Sequence, residues 1–405
     1  MRLLAAALAL VMTAAAATAC PFCSAQGTTL SGEVAEADFI VLGRMVNPRR
    51  DPTDITKGET DLVIDSVVKP HPYLTGKTRV LVPRYVPVDP AAKDAKFIVF
   101  CKLYTPAVYT AAAAVASGAL LADTRITILD AYRGEPVEGK SNLADYLKGA
   151  IAVRDKPTPD RLHYFFKYLD APDLVISTDA MNEFAAADYP QVRAMSKTLP
   201  AEKVLSWIKD PNTPQSRLGL YGLFIGHCGK PADAVVLRQL LDGTESRFIG
   251  GLDGVLAAYT LLDPKAGVAY LDQLIADPKS DFQVRYAVYK VFTFLWDYRQ
   301  DIVKPDAIVA GMLKLMAIPD MSDLPMETLR KWGRWELTDT VLGYTKVKSH
   351  NDVPIVRRAI LKFAIAAPAT KAEAKAYVES VRKDDPDRVK YVEQTLQDEL
   401  APAKK

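Results

Sequence analysis

DFQVRYAVYKVF (residues 281–292) and DVPIVRRAILKF (352–363) are two versions of one pattern. Each opens on an acid, carries a Val-Arg pair, places alanine two residues after the first arginine, and continues in large apolar residues. An acid suits a helix N-cap, because its side chain accepts from backbone N–H groups of the first turn. The apolar positions recur at helical spacing and form one buried face. The small residue lets a neighbouring helix come close.

Weaker copies lie upstream, with Ala180 in VISTDAMNEF, Gly219 in SRLGLYGLF and Gly254 in LDGVLAAYT at the small position. Asp-Pro and Pro-rich breaks at 170–173, 210–214, 262–265, 276–279, 317–320 and 384–387 separate pairs of amphipathic segments. The small positions recur at about 33 to 39 residues, and the copy expected between Ala287 and Ala359 is degraded. From about residue 155 to 395 this resembles HEAT repeats, and the resemblance implies stacked helix pairs without implying a role.

Ahead of this region the pattern changes. DFIVLGRMV (38–46), TDLVIDSVV (60–68), TRVLVPRYV (78–86), KFIVFCKLY (96–104) and TRITILDA (124–131) read as short strands between Pro, Gly and Asp punctuation. An Ala-rich insert, 107–122, precedes the last of them. The expected fold class is α+β in separate domains: a small five-stranded β barrel or sandwich that resembles an OB or netrin-like module, then an all-α HEAT-like solenoid. The expected boundaries are a β domain at 20–134, a linker helix at 135–155, a solenoid at 156–398 and a tail at 399–405.

Residues 1–19 read as an export signal: Arg2, an apolar stretch from Leu3 to Ala17, and the small residues Ala17-Thr18-Ala19. Cleavage by an ordinary signal peptidase and lipidation at Cys20 both fit, and either makes Cys20 the first mature residue. The expected location is extracytoplasmic, released or lipid-anchored, with no transmembrane helix. Lys plus Arg number 51 against 49 acids, a formal charge of +2. That balance provides no field for nucleic acid.

Four cysteines are present. Cys20 and Cys23 form C-P-F-C, similar to the pair in glutaredoxins, which implies thiol oxidoreductase activity as one alternative function. No strand precedes the pair to present it. Cys101 sits in an apolar strand, and an exported chain supports disulfides, so Cys23–Cys101 or Cys20–Cys101 is the expected bond. Closing a loop of roughly 80 residues contributes about 4–5 kcal/mol in the chain-entropy account. A mature N-terminal cysteine beside a five-stranded barrel also resembles the netrin-like module of tissue inhibitors of metalloproteinases. That resemblance implies inhibition through Cys20, a second alternative, although the inhibitors carry C-x-C. Cys228 beside His227 reads as a free thiol at a helix end, since helix neighbours point apart.

No G-x-S-x-G, H-E-x-x-H or kinase signature is present, and no cofactor or metal is expected. LRKWGRWELTD (329–339) is the surface candidate: Trp332, Arg334 and Trp335 are residue types favoured as interface anchors. Leu329, Trp332 and Glu336 also fit one helix face, which reads as packing between helices. The leading expectation is an exported non-enzymatic scaffold whose solenoid holds an unidentified protein partner. The chain as a whole resembles exported bacterial HEAT-repeat proteins.

Overall fold

Phe39, Val41 and Met45 alternate along the first predicted strand and are all buried, as a strand with one face on a core requires. In a computed structural model, which describes residues 21–22, 28–54, 57–92, 95–104, 128–243 and 250–400, five strands form one antiparallel sheet. They are β1 (Phe39–Arg50), β2 (Gly58–Lys69), β3 (Arg79–Val82), β4 (Lys96–Tyr104) and β5 (Ile128–Val137). Their order is β3-β2-β1-β4-β5. The edge strands β3 and β5 approach each other, so the sheet curls towards a partly open barrel. Its core contains Phe39, Val41, Leu62, Val80, Val99 and Cys101.

β5 runs to Val137, beyond Ala131, where the last strand read from the sequence ends. Gly134 pairs with Val99 and Pro136 with Phe97. Because β5 is an edge strand, it tolerates a residue that cannot donate to the ladder. The Ala-rich insert and residues 124–127 lie outside the described residues, as does the leader through Cys20.

The chain divides into two compact units, Met1–Met195 and Ser196–Lys405. Besides the sheet, the first contains α1 (Leu30–Glu36), which the sequence reading missed, α2 (Leu143–Val153), α3 (Thr158–Phe166) and α4 (Leu174–Ala185), with α5 (Tyr189–Ser196) at its end. Helix α1 packs on β4, α2 and α4. Thr29 caps it by accepting from the Gly32 N–H at 2.8 Å.

The second unit is helical: α6 (Ala201–Lys209), α7 (Gln215–Cys228), α8 (Pro231–Asp242), α9 (Leu252–Leu262), α10 (Pro264–Ala276), α11 (Phe282–Tyr298), α12 (Pro305–Met316) and α13 (Asp323–Lys331). After these come α14 (Thr338–Gly343), α15 (Lys348–Asn351), α16 (Pro354–Ala366), α17 (Ala372–Asp384) and α18 (Pro386–Leu400). Packing is serial: α7 on α9, α9 on α11, α13 on α16 and α16 on α18. The Tyr289 and Thr328 hydroxyls, 2.7 Å apart, join α11 to α13. This succession is solenoid-like.

The small positions lie inside it. Gly219, Gly254, Ala287 and Ala359 are buried, and a Cβ on Gly254 would overlap the Gly219 backbone. Glycine is therefore what lets α7 and α9 approach so closely. Asp281 caps α11 through the Val284 N–H at 3.0 Å. Asp352 makes no such cap; Pro354 at the first helical position starts α16 instead. The degraded copy is α13, which lacks the Val-Arg pair.

Candidate docking groove

Helix α13 ends in a turn dictated by Gly333. Its φ of 67° is left-handed, and the Gly333 and Arg334 N–H groups donate to the Arg330 and Leu329 carbonyls, each at 3.0 Å. This is the Schellman geometry that glycine favours after a helix. The turn separates two tryptophans that otherwise share a helical spacing. Trp332 stacks on Trp296 of α11, centroids 4.1 Å apart and planes at 11°. Trp335, in a 3-10 turn with Glu336 and Leu337, meets Phe363 of α16 edge-on at 5.3 Å. Arg334 lies over Trp296 and pairs with Glu336 at 2.5 Å. The one-face expectation for Leu329, Trp332 and Glu336 therefore fails, because the helix stops between them.

All three predicted partner-binding residues are half-buried. Trp332 and Arg334 brace α11 against α13. Trp335 instead lines a cavity of about 980 Å³ with Arg330, Lys331, Ile365, Leu396 and Glu399. A space of this size accommodates a small ligand or a few residues of peptide.

A four-charge network borders the cavity. Arg330 donates to Glu327 at 2.8 and 3.0 Å and to Glu399 at 2.6 Å. Lys362 of α16 donates to Glu399 at 2.5 Å and faces Glu327 at 3.5 Å. Burial pushes the Glu399 carboxyl up, but hydrogen bonds from Lys362 and Arg330, with their charges, outweigh it and hold it below the usual carboxylate range. Arg330 lies in the surface stretch singled out from the sequence, but Glu327, Lys362 and Glu399 do not; Arg330 and Glu399 are 69 positions apart, and no local motif joins them.

The first unit has a polar centre of its own, also unread in the sequence. Asp179 of α4, 4% exposed, accepts from the Leu30 N–H at 2.5 Å, the Ser31 hydroxyl at 2.9 Å and the Tyr146 hydroxyl at 2.7 Å. Glu183, one turn on, faces Arg161 at 3.7 Å. Burial raises both carboxyls, against the hydrogen bonds that favour their charged forms. The chain's own donors occupy Asp179, which anchors the start of α1.

Among the described residues Cys101 and Cys228 make no disulfide; Cys20 and Cys23, the partners expected for Cys101, lie outside them. Burial, with Asp130 adding to it, pushes Cys101 up to about 12. Burial likewise pushes Cys228 up to about 11, far from the activated range of catalytic cysteines. Among the described residues no three of His, Cys, Asp and Glu converge on a metal position, and no helix is long and apolar enough to cross a membrane.

The chain matches no family model, no curated protein and no solved structure to a significant degree.

Proposed function

We propose that this protein is an exported, non-enzymatic interaction scaffold: a HEAT-like solenoid presents the binding surface, and an OB-like β domain orients or tethers it. The observation that carries the reading is the groove at Trp335, where an indole, aliphatic side chains and fixed charges line an open cavity. Aromatic and Arg anchors around a pocket are what protein interfaces use.

Export, with Cys20 as the first mature residue and Cys101 bridged to Cys23 or Cys20, belongs to the same reading. Intact mass of the mature protein before and after reduction tests all three parts. For the scaffold, in-cell crosslinking followed by purification is expected to yield one partner with the parent chain. Much less is expected with Trp335→Ala or Leu396→Asp, with the exposed Lys209→Ala as control. A yield unchanged by both groove substitutions overturns the assignment.

A further inference from the structure

The four-charge network is asymmetric. Its cations are the buried members, with side-chain exposures of 10% for Arg330 and 11% for Lys362, while the carboxylates of Glu327 and Glu399 keep 26% and 35%. Desolvating cations is costly and is seldom needed for stability alone, since apolar residues of similar volume do as well. Here Glu327, on the same helix as Arg330, grips the guanidinium from one side. That leaves an Nη2 donor aimed across the cavity edge and held in place before any partner arrives. The Nζ of Lys362 converges on the same point. What occupies it is Glu399, in the last turn of α18.

Without Glu399, the two cations face a single carboxylate and the wall carries a net positive charge. It then sits beside Trp335, Ile365 and Leu396. That combination, a pre-oriented Arg–Lys pair next to an aromatic and aliphatic floor, is complementary to a carboxylate flanked by apolar side chains. We propose that Glu399 is an internal stand-in for the ligand, and that the groove takes an acidic peptide segment of a partner protein, whose Asp or Glu carboxylate replaces that of Glu399 while a neighbouring aliphatic residue rests on Trp335. This inference builds on the scaffold reading and names the partner's chemistry at the same groove.

The test uses the full mature chain and two synthetic probes, acetyl-Ala-Leu-Glu-Leu-Ala-amide and its Gln counterpart. Glu399→Ala is expected to bind the Glu peptide about tenfold more tightly than the parent chain does, the scale of one charge-assisted hydrogen bond. It should prefer Glu over Gln by a similar factor, and the Glu peptide alone should raise its melting temperature. Lys362→Met in the Glu399→Ala background, which keeps side-chain volume, should erase the preference. Equal binding of the two peptides, or no tighter binding by Glu399→Ala, overturns the proposal. Groove-dependent partner capture combined with equal peptide binding would leave the scaffold reading standing and remove only the carboxylate. If the Glu peptide is preferred yet capture is indifferent to Trp335, the scaffold reading falls instead.

Discussion

The two polar centres, one in each unit, bury opposite charges. In the first, the deepest carboxyl is Asp179, held mainly by neutral donors: a backbone N–H and two hydroxyls. In the centre beside the groove the more buried members are cations, Arg330 and Lys362, and their carboxylate partners sit nearer the rim; elsewhere in the second unit Asp253 is buried against Lys290. A buried anion satisfied by backbone belongs to the fold, because its partners cannot leave without undoing α1. Buried cations answered by a half-exposed side chain allow that side chain to be replaced. On the proposed function the difference separates a fastening from a receptor, and it can be attacked experimentally because all four tryptophans, Trp207, Trp296, Trp332 and Trp335, lie in the second unit. Indole fluorescence therefore follows that unit alone, and hydrogen exchange at α1 follows the other.

The largest expected effect in the second unit comes from its close helix packing and not from its charges. Gly254→Val pushes a side chain into the Gly219 backbone and should cost about 3–4 kcal/mol, the upper range for overpacking. Its fluorescence-monitored denaturation midpoint should fall sharply, and a midpoint near the parent value would show that α7 and α9 can move apart cheaply.

Asp179→Ala comes next. It strands the Leu30 N–H and the fully buried Tyr146 hydroxyl, at a cost of about 3 kcal/mol for lost partners of buried donors. Exchange protection through α1 should collapse while the fluorescence transition stays put. Glu399→Ala should cost only about 1 kcal/mol, because its carboxylate is partly solvated and Glu327 still holds both cations. A loss as large as that of Asp179→Ala would erase the distinction between the two centres.

Acid should drive the two centres apart. Asp179 and Glu183 have folded-state values raised by burial, so their contribution is full below the ordinary carboxylate pKa of about 4 and is lost as pH rises through the raised values. Glu399 is depressed in the folded state; its contribution is present above the ordinary value and lost as pH falls through the depressed one. Between neutral pH and about pH 4, the parent chain should gain stability relative to Asp179→Asn. Its advantage over Glu399→Gln should be full at neutral pH and shrink only in stronger acid. Slopes of the same sign would contradict this assignment. The smallest effect concerns the thiols: in reduced protein at pH 7, Cys101 should resist a thiol-specific reagent until the sheet opens, with Cys228 slow but faster than Cys101. Rapid labelling of Cys101 in the folded chain would mean that its burial is transient.

Much of the scaffold was legible in the residues. The alternating Phe39, Val41 and Met45, and the small residues at 219, 254, 287 and 359, report directly on which faces are buried, since period and side-chain volume are local properties of the chain. Gly333 was also in plain view, but a spacing of three between Trp332 and Trp335 suggests a continuing helix until the left-handed glycine is recognised as its stop. Helix α1 went unread because it is short and its stability comes from Asp179, 149 residues from Leu30. The groove escaped for the same reason. Arg330, Lys362 and Glu399 come from three different helices, and nothing in the spacing of charges along a chain says which will meet after folding.

The Trp296–Trp332 stack has a further use. Two nearly parallel, stacked indoles in van der Waals contact couple their electronic transitions, and the resulting circular-dichroism couplet depends steeply on their offset and tilt. The molecule thus has an optical gauge built across the junction of α11 and α13, readable without any added label. A ligand that slides one of these helices along the other would announce itself as a change in the sign or size of that couplet.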